Sequence, residues 1–168
     1  MEPRLRIVFV PVPPYQEISK SGTGTDAETE EGRIYSIGIE NLCPTSIYDV
    51  VVQVVHMEGL TTDGEKVNDL RPFALQLDDT GGSIGLFEPF TVNPGRQGLK
   101  LVHVVGKSTR KVGTEIKLFA RRPTLPQGNY VFTISVNGQN VTAVDGPTQF
   151  HIWIGANQEL LFEPLTNS

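Results

Sequence analysis

Three histidines and one cysteine are the side chains of this sequence best suited to holding a metal ion. His56, His103 and His151 lie far apart along the chain, and Cys43 precedes all three. A copper site of the cupredoxin type needs a cysteine between its histidines and a nearby methionine, and a structural zinc site groups its ligands at short spacings. The spacing therefore predicts ordinary sheet histidines and no metal site.

Clustered carboxylates could bind calcium, and a glycine-rich loop could bind phosphate. The acidic residues of segments 26–31 and 78–79 do not follow the alternating order of an EF-hand calcium loop, so solvated acidic loops are the simpler interpretation. Residues 22–32, GTGTDAETEEG, contain glycines, but no Lys-Ser or Lys-Thr pair follows them as a phosphate-binding loop requires. We therefore expect no catalytic residues, no bound cofactor and no enzyme activity.

The segment 148–155, TQFHIWIG, carries the candidate interaction residues His151 and Trp153. Apolar and other residues alternate there with period two, which predicts a strand with these two side chains together on one face. An exposed Trp beside a His could be a docking site, because Trp is enriched where interfaces concentrate their energy. Packing against a neighbouring strand or the carboxy-terminal ELLF segment is the alternative that we favour.

Composition narrows the classes of partner. The formal net charge of -5 argues against nucleic acid, whose binding rests on clustered Lys and Arg. No run approaches the roughly 20 apolar residues that span a bilayer, so we expect no direct membrane insertion. The amino terminus lacks the cleavage site of a signal peptide, and the chain as given is expected to be soluble. A domain excised from a membrane-anchored or surface protein would fit the same composition.

The elements that position these residues are predicted to be almost entirely strands. Short apolar runs rich in Val, Ile and Phe alternate with Gly- and Pro-rich turns over 168 residues, a length that suits a single domain spanning 1–168. Residues 19–32 have almost no apolar anchor and are predicted to be a mobile loop that tolerates shortening. Strands are predicted at 4–10, 33–40, 48–57, 73–77, 86–92, 99–105, 115–120, 128–138, 148–155 and 159–165. About eight to ten such strands indicate an all-β, two-sheet antiparallel sandwich or a barrel.

The segment 125–132, LPQGNYVF, favours the sandwich. In immunoglobulin domains a tyrosine near the start of strand F bonds back to the preceding corner, and a core residue follows two positions later. Tyr130 and Phe132 occupy these places, with Ile37 or a neighbour expected opposite Phe132. The cysteine pair and tryptophan of antibody domains have no equivalents here, because the chain has a single cysteine and therefore no intrachain disulfide.

Together with YSIGIEN (35–41) and the Asn-Pro-Gly turn at 93–95, this segment resembles bacterial adhesion-related immunoglobulin-like domains over about residues 33–154. The resemblance implies an immunoglobulin-like sandwich that spaces, docks or presents parts of a larger assembly without catalysis. We therefore expect a binding or structural-presentation module with a protein partner. The alternative is a carbohydrate-binding module, in which exposed aromatic rings stack on sugars.

Overall fold

The computed structural model describes residues 2–21, 30–69, 72–77, 88–108, 115–120, 124–141, 143–156 and 159–165. Within these ranges the chain forms fourteen β-strands and one short 3-10 turn, and none of these residues is in an α-helix. No helix within them is long and apolar enough to cross a membrane. The all-β prediction is confirmed, although the strands outnumber the eight to ten expected.

The strands follow the apolar runs of the sequence. In chain order they are β1 (Arg4–Val8), β2 (Gln16–Ser21), β3 (Glu30–Asn41), β4 (Ile47–Thr61), β5 (Lys66–Asp69), β6 (Phe73–Ala74), β7 (Gln76–Leu77), β8 (Phe90–Val92), β9 (Lys100–Ser108), β10 (Glu115–Leu118), β11 (Gly128–Asn137), β12 (Ala143–Asp145), β13 (Gln149–Ile154) and β14 (Leu160–Pro164). The 3-10 turn at Arg96–Gly98 precedes β9.

Two seven-stranded sheets make up the sandwich. The first has the order β10-β9-β3-β1-β12, with β2 also beside β3 and β7 beside β9; the second has the order β14-β13-β11-β4-β5, with β6 and β8 also beside β4. Every pair of these strands is antiparallel except β1 with β12. This order is consistent with an immunoglobulin-like fold, because β3 pairs with β9 in the first sheet as strand B pairs with strand E, and β4, β11 and β13 are neighbours in the second sheet as strands C, F and G are.

The core lies between the sheets and takes alternate residues from each strand. Along β11 the inward residues are the predicted ones, and Tyr130 and Phe132 have no exposed surface. Ile37 of β3 is equally buried on the other sheet and belongs to the same core. A shift in register between Thr133 and Ile134 lets β11 stay paired with the long strand β4 along its whole length.

Tyr130 forms the predicted tyrosine corner. Its hydroxyl donates a hydrogen bond of 2.7 Å to the backbone carbonyl of Pro126, four residues upstream. Burial raises the pKa of this hydroxyl, so it stays protonated and able to donate.

The prediction of a loop over residues 19–32 is wrong at both ends of that segment. β2 and β3 form a ladder that includes the pairs Ser19 with Gly32 and Ser21 with Glu30, so both ends of the predicted loop are strand. Residues 22–29 lie outside the described residues. β2 was missed because a polar sequence with a single Ile gives little alternation, and its pairing depends on the neighbouring strand β3.

The sequence-based assignment also missed two other short strands, β5 and β12. It ended β4 four residues too early. Glycine usually weakens a strand, so Gly59 argued for a loop after Met57. A Cβ atom at position 59 would lie 2.8 Å from the Cα of Tyr130 on the paired strand, which is too close for any side chain. The strand therefore continues through a glycine because the partner strand approaches closely there.

Candidate functional site

His151 and Trp153 lie on β13, which is paired with β11 on one side and β14 on the other. Phe150 and Ile152 are fully buried, whereas His151 and Trp153 project from the opposite, outer face of the second sheet and are half-buried. The predicted division of this strand into a core face and an outer face is confirmed at these four positions.

The two side chains stack on each other. Their ring centroids are 4.2 Å apart and the ring planes differ by 15°. Trp153 stands opposite Asn129 of β11 and Leu161 of β14 in the sheet register. The sheet register thus places the indole beside the ELLF segment, next to its stack with His151.

The pair belongs to a larger surface, which we call the outer strip: two adjacent rows of side chains that cross five strands, β5, β4, β11, β13 and β14. Four members are apolar, and Leu60 is 49% exposed. A solvated sheet face is usually polar, so four apolar side chains in adjacent rows are unusual. The first row consists of Lys66, Leu60, Asn129, Trp153 and Leu161, and the second of Asn68, Glu58, Val131, His151 and Glu163.

Two concavities flank the stacked pair. One, of about 530 Å³, lies over β5, β4 and β11 and is lined by Leu60, Lys66, Val131 and His151 among others. The other, of about 370 Å³, is lined by Trp153 and by residues from both faces of β14. The stack of His151 and Trp153 thus forms a ridge between two shallow depressions.

The second concavity, which we call the edge cleft, runs along the outer edge of β14, where no described strand pairs. Tyr35 closes part of this edge, because its hydroxyl donates to the Leu160 carbonyl at 2.8 Å. The guanidinium of Arg33 donates to the same carbonyl at 3.5 Å. Gln16 and Glu163 also line the cleft, so its aromatic wall is rimmed by polar groups.

The other histidines and Cys43 are held in separate places. His56 Nε2 is 3.4 Å from a Glu58 carboxylate oxygen on the second sheet, and His103 Nδ1 is 2.8 Å from the Ser36 hydroxyl on the first. Cys43 is buried, accepts a hydrogen bond from the Arg4 backbone N–H at 3.2 Å and donates to the Glu2 carbonyl at 3.1 Å. No group of three or more His, Cys, Asp or Glu that could hold a metal occurs in the described part of the chain.

Several residues considered for chemistry lie outside the described ranges, including the acidic residues Asp78 and Asp79. Sequence reasoning overlooked Ser83, which has the Gly-x-Ser-x-Gly spacing of a serine nucleophile with Gly81 and Gly85 and also lies outside the described residues.

Sequence reasoning missed Leu60 as a member of the outer strip, because β4 was expected to end at Met57. The alternation of Glu58 and Leu60 continues the pattern of the strand and could have indicated the extension. Leu161 was placed in a strand, but its position beside Trp153 depends on the β13–β14 register. Comparison of the chain with models of protein families, with curated proteins and with solved structures finds no match.

Proposed function

We propose that this chain is an immunoglobulin-like module that works without catalysis and binds a protein partner through the outer strip. The immunoglobulin-like assignment draws support from the strand order of the two sheets and from the tyrosine corner at Tyr130. A role in presenting parts of a larger assembly follows from the resemblance to bacterial adhesion-related domains. The turn at Pro94 and Gly95 lies beside Asn41.

The observation that carries the binding proposal is the apolar content of the outer strip. Leu60 is 49% exposed, and Val131, Trp153 and Leu161 retain partial exposure beside it. Removing such surface from water is favourable by about 25 cal/mol per Å², and aromatic residues ringed by polar ones are typical of interface centres. The polar members, such as Glu58 and Lys66, would form the rim.

Replacement of Leu60 by Ser tests this proposal. Leu60 is exposed, so the change leaves the fold intact but removes apolar surface from the outer strip. Val12 is also 49% exposed, on the connection between β1 and β2, and Val12→Ser is the matched control. Affinity capture from the source cells should lose a specific partner with Leu60→Ser and keep it with Val12→Ser. Equal capture by both variants would exclude the outer strip as the binding surface.

Carbohydrate binding is a second candidate, favoured by the edge cleft. Trp153 offers an aromatic surface there, and Gln16, Arg33 and Glu163 offer amide, guanidinium and carboxylate groups that can bond to sugar hydroxyls. The cleft volume of about 370 Å³ is within the usual range of small-ligand sites. A glycan array decides this: binding that is lost in Glu163→Gln supports the candidate, and an array without binding rejects it.

A further inference from the structure

The free edge of β14 carries unpaired backbone groups. The Leu165 N–H donates to the Gln149 carbonyl, and in this register the odd-numbered residues of β14 bond to β13. Backbone groups of a strand point alternately to its two sides. The even-numbered residues Leu160, Phe162 and Pro164 therefore direct their backbone groups to the free edge, which borders the edge cleft.

Four of these groups have no partner within the described ranges: the N–H groups of Leu160 and Phe162 and the carbonyls of Phe162 and Pro164. The Leu160 carbonyl already accepts from Tyr35, and Pro164 has no N–H to donate. Leu160 is fully buried and Phe162 is 4% exposed, whereas buried backbone groups are nearly always paired. Two donors and two acceptors therefore remain for a partner along this edge.

We propose that the edge cleft takes an extended segment of another protein, which adds to β14 as a further strand of the second sheet. A β-strand repeats its N–H and carbonyl groups about every 6.7 Å on one side, which is the interval that this edge presents. Opposite β14 the cleft is bounded by Phe9 and Pro11, which follow β1, and by Gln16 of β2. The space between these walls suits a single strand. The inference goes beyond the proposed function, because it uses the edge of the sheet and not its outer face.

The walls of the cleft also indicate the side chains of the added strand. The Arg33 guanidinium lies 3.5 Å from the Leu160 carbonyl, which places positive charge at one end. Glu163 places a carboxylate about 10 Å further along β14. We take the added strand as antiparallel, which is the more stable pairing. Its charges then complement the cleft with a basic residue opposite Glu163 and an acidic residue opposite Leu160, and an apolar residue opposite Phe162 faces the aromatic wall.

A synthetic peptide tests the backbone pairing. The probe is the fluorescently labelled hexapeptide Thr-Lys-Val-Val-Glu-Thr, whose first valine is aligned with Phe162. Fluorescence polarisation with the full chain should give a dissociation constant of about 1 mM or lower. N-methylation of the first valine removes the N–H that donates to the Phe162 carbonyl and should weaken binding about tenfold. N-methylation of the second valine is the matched control, because its N–H points away from β14 and its loss should have little effect.

Charge exchange tests the alignment of the added strand. The peptide Thr-Glu-Val-Val-Lys-Thr should bind the native chain about fivefold more weakly, and the double variant Arg33→Glu/Glu163→Lys should reverse the preference between the two peptides. The double variant Arg96→Glu/Glu88→Lys makes the same charge changes at exposed sites that do not line the cleft, and it should keep the native preference. Amide hydrogen exchange needs no variant: the first peptide should slow the exchange of the Phe162 N–H.

No binding up to about 1 mM peptide, or equal weakening by the two N-methyl groups, would overturn the inference. A glycan that binds in place of the peptide would assign the cleft to carbohydrate, and self-association of the chain that the peptide inhibits would assign the edge to a second copy. Thermal melting checks the fold of the double variant, and the N-methylated peptides test the native chain if that variant does not fold. Leu60→Ser should bind the peptide unchanged, because Leu60 lies on β4, three strands from β14, so the two proposals fail separately.

Discussion

At the scale of single residues, Tyr130 connects the corner before β11 to the core. Its ring is fully buried, while its hydroxyl bonds to the Pro126 carbonyl at 2.7 Å. The ring contributes apolar burial, and the hydroxyl satisfies a carbonyl that would otherwise depend on water. The corner therefore depends on the hydroxyl oxygen of Tyr130, which can be removed without changing the packing of the ring.

Tyr130→Phe should lower the free energy of unfolding by about 1 kcal/mol, since the Pro126 carbonyl loses its donor. Tyr48→Phe is the control, because Tyr48 is 54% exposed and its loss of a hydroxyl should have little effect. Urea unfolding of both variants measures the difference. An equal effect in the two variants would contradict the role of the hydroxyl bond.

Arg4 and Asp145 form a bidentate pair that joins β1 to the short parallel strand β12, with N–O distances of 2.6 and 2.8 Å. The hydrogen bond and the charge of Arg4 hold the pKa of Asp145 below its ordinary value of 3.8. A carboxyl whose pKa is lower in the folded state stabilises the protein above its unfolded pKa, and this contribution disappears as the pH falls through the folded value.

Asp145→Asn should therefore be less stable than the native chain at pH 7, by a small amount because both partners are solvent-exposed. The difference should shrink as the pH falls below about 4 and vanish once the native carboxylate is protonated. Urea unfolding of both proteins across this pH range tests the expectation. A stability difference that stays constant to low pH would assign the effect to something other than the ion pair.

At the scale of elements, the β2–β3 hairpin is defined by its ladder from Gln16 with Tyr35 to Ser21 with Glu30. Replacing residues 22–29 with a short Gly-Ser link leaves this ladder intact, so the melting temperature should change little. Replacing residues 19–32 removes the last three residue pairs of the ladder and should lower the melting temperature further. A fall of about 10 °C or more for the shorter replacement would mean that residues 22–29 stabilise the fold.

The strand β13 owes part of its outer-face packing to Trp153, which stacks on His151 and faces Leu161. Trp153→Ala should destabilise the protein by roughly 1–3 kcal/mol through lost packing. Leu60→Ser is the comparison, since an exposed side chain should matter for binding more than for stability. If denaturant unfolding of Trp153→Ala matches the native chain while partner binding is lost, Trp153 acts only in recognition.

At the scale of the whole molecule, an aromatic cluster joins the two sheets beside β14. Phe162 stacks on Phe150 at 4.8 Å with ring planes 7° apart, both in the second sheet. It also contacts Phe9 at 4.9 Å and Tyr35 at 5.4 Å from the first-sheet side. These four rings make β14, the last described strand, part of the common core.

Phe162→Ala should therefore cost about 3–5 kcal/mol, because it removes the ring that contacts both sheets and leaves a cavity. Leu161→Ala, one residue earlier on the outer face, is the matched control and should cost much less. Chemical denaturation compares the two. Similar losses in both variants would show that β14 does not bridge the sheets through Phe162. A Phe162→Leu variant, which keeps most of the volume, provides a measurable intermediate if the alanine variant does not fold.

The sequence by itself determined the strand faces wherever alternation is strong. Period-two patterns placed Tyr130 and Phe132 in the core and Trp153 outside, because burial of one sheet face imposes that period on the residues. The segment LPQGNYVF also predicted the tyrosine corner, since the hydroxyl of Tyr130 and the carbonyl of Pro126 are only four residues apart in the chain. Local interactions such as these can be predicted from local sequence.

The tertiary structure alone decided which side chains share the outer strip. Leu60 and Leu161 meet the His151–Trp153 ridge only because the registers of β4, β11, β13 and β14 align them, and a shift of one residue would turn each to the other face. The polar strand β2 likewise exists because β3 offers it a partner. Pairing between distant segments has no counterpart in local sequence, since its free energy comes from contacts that form only when the chain has folded.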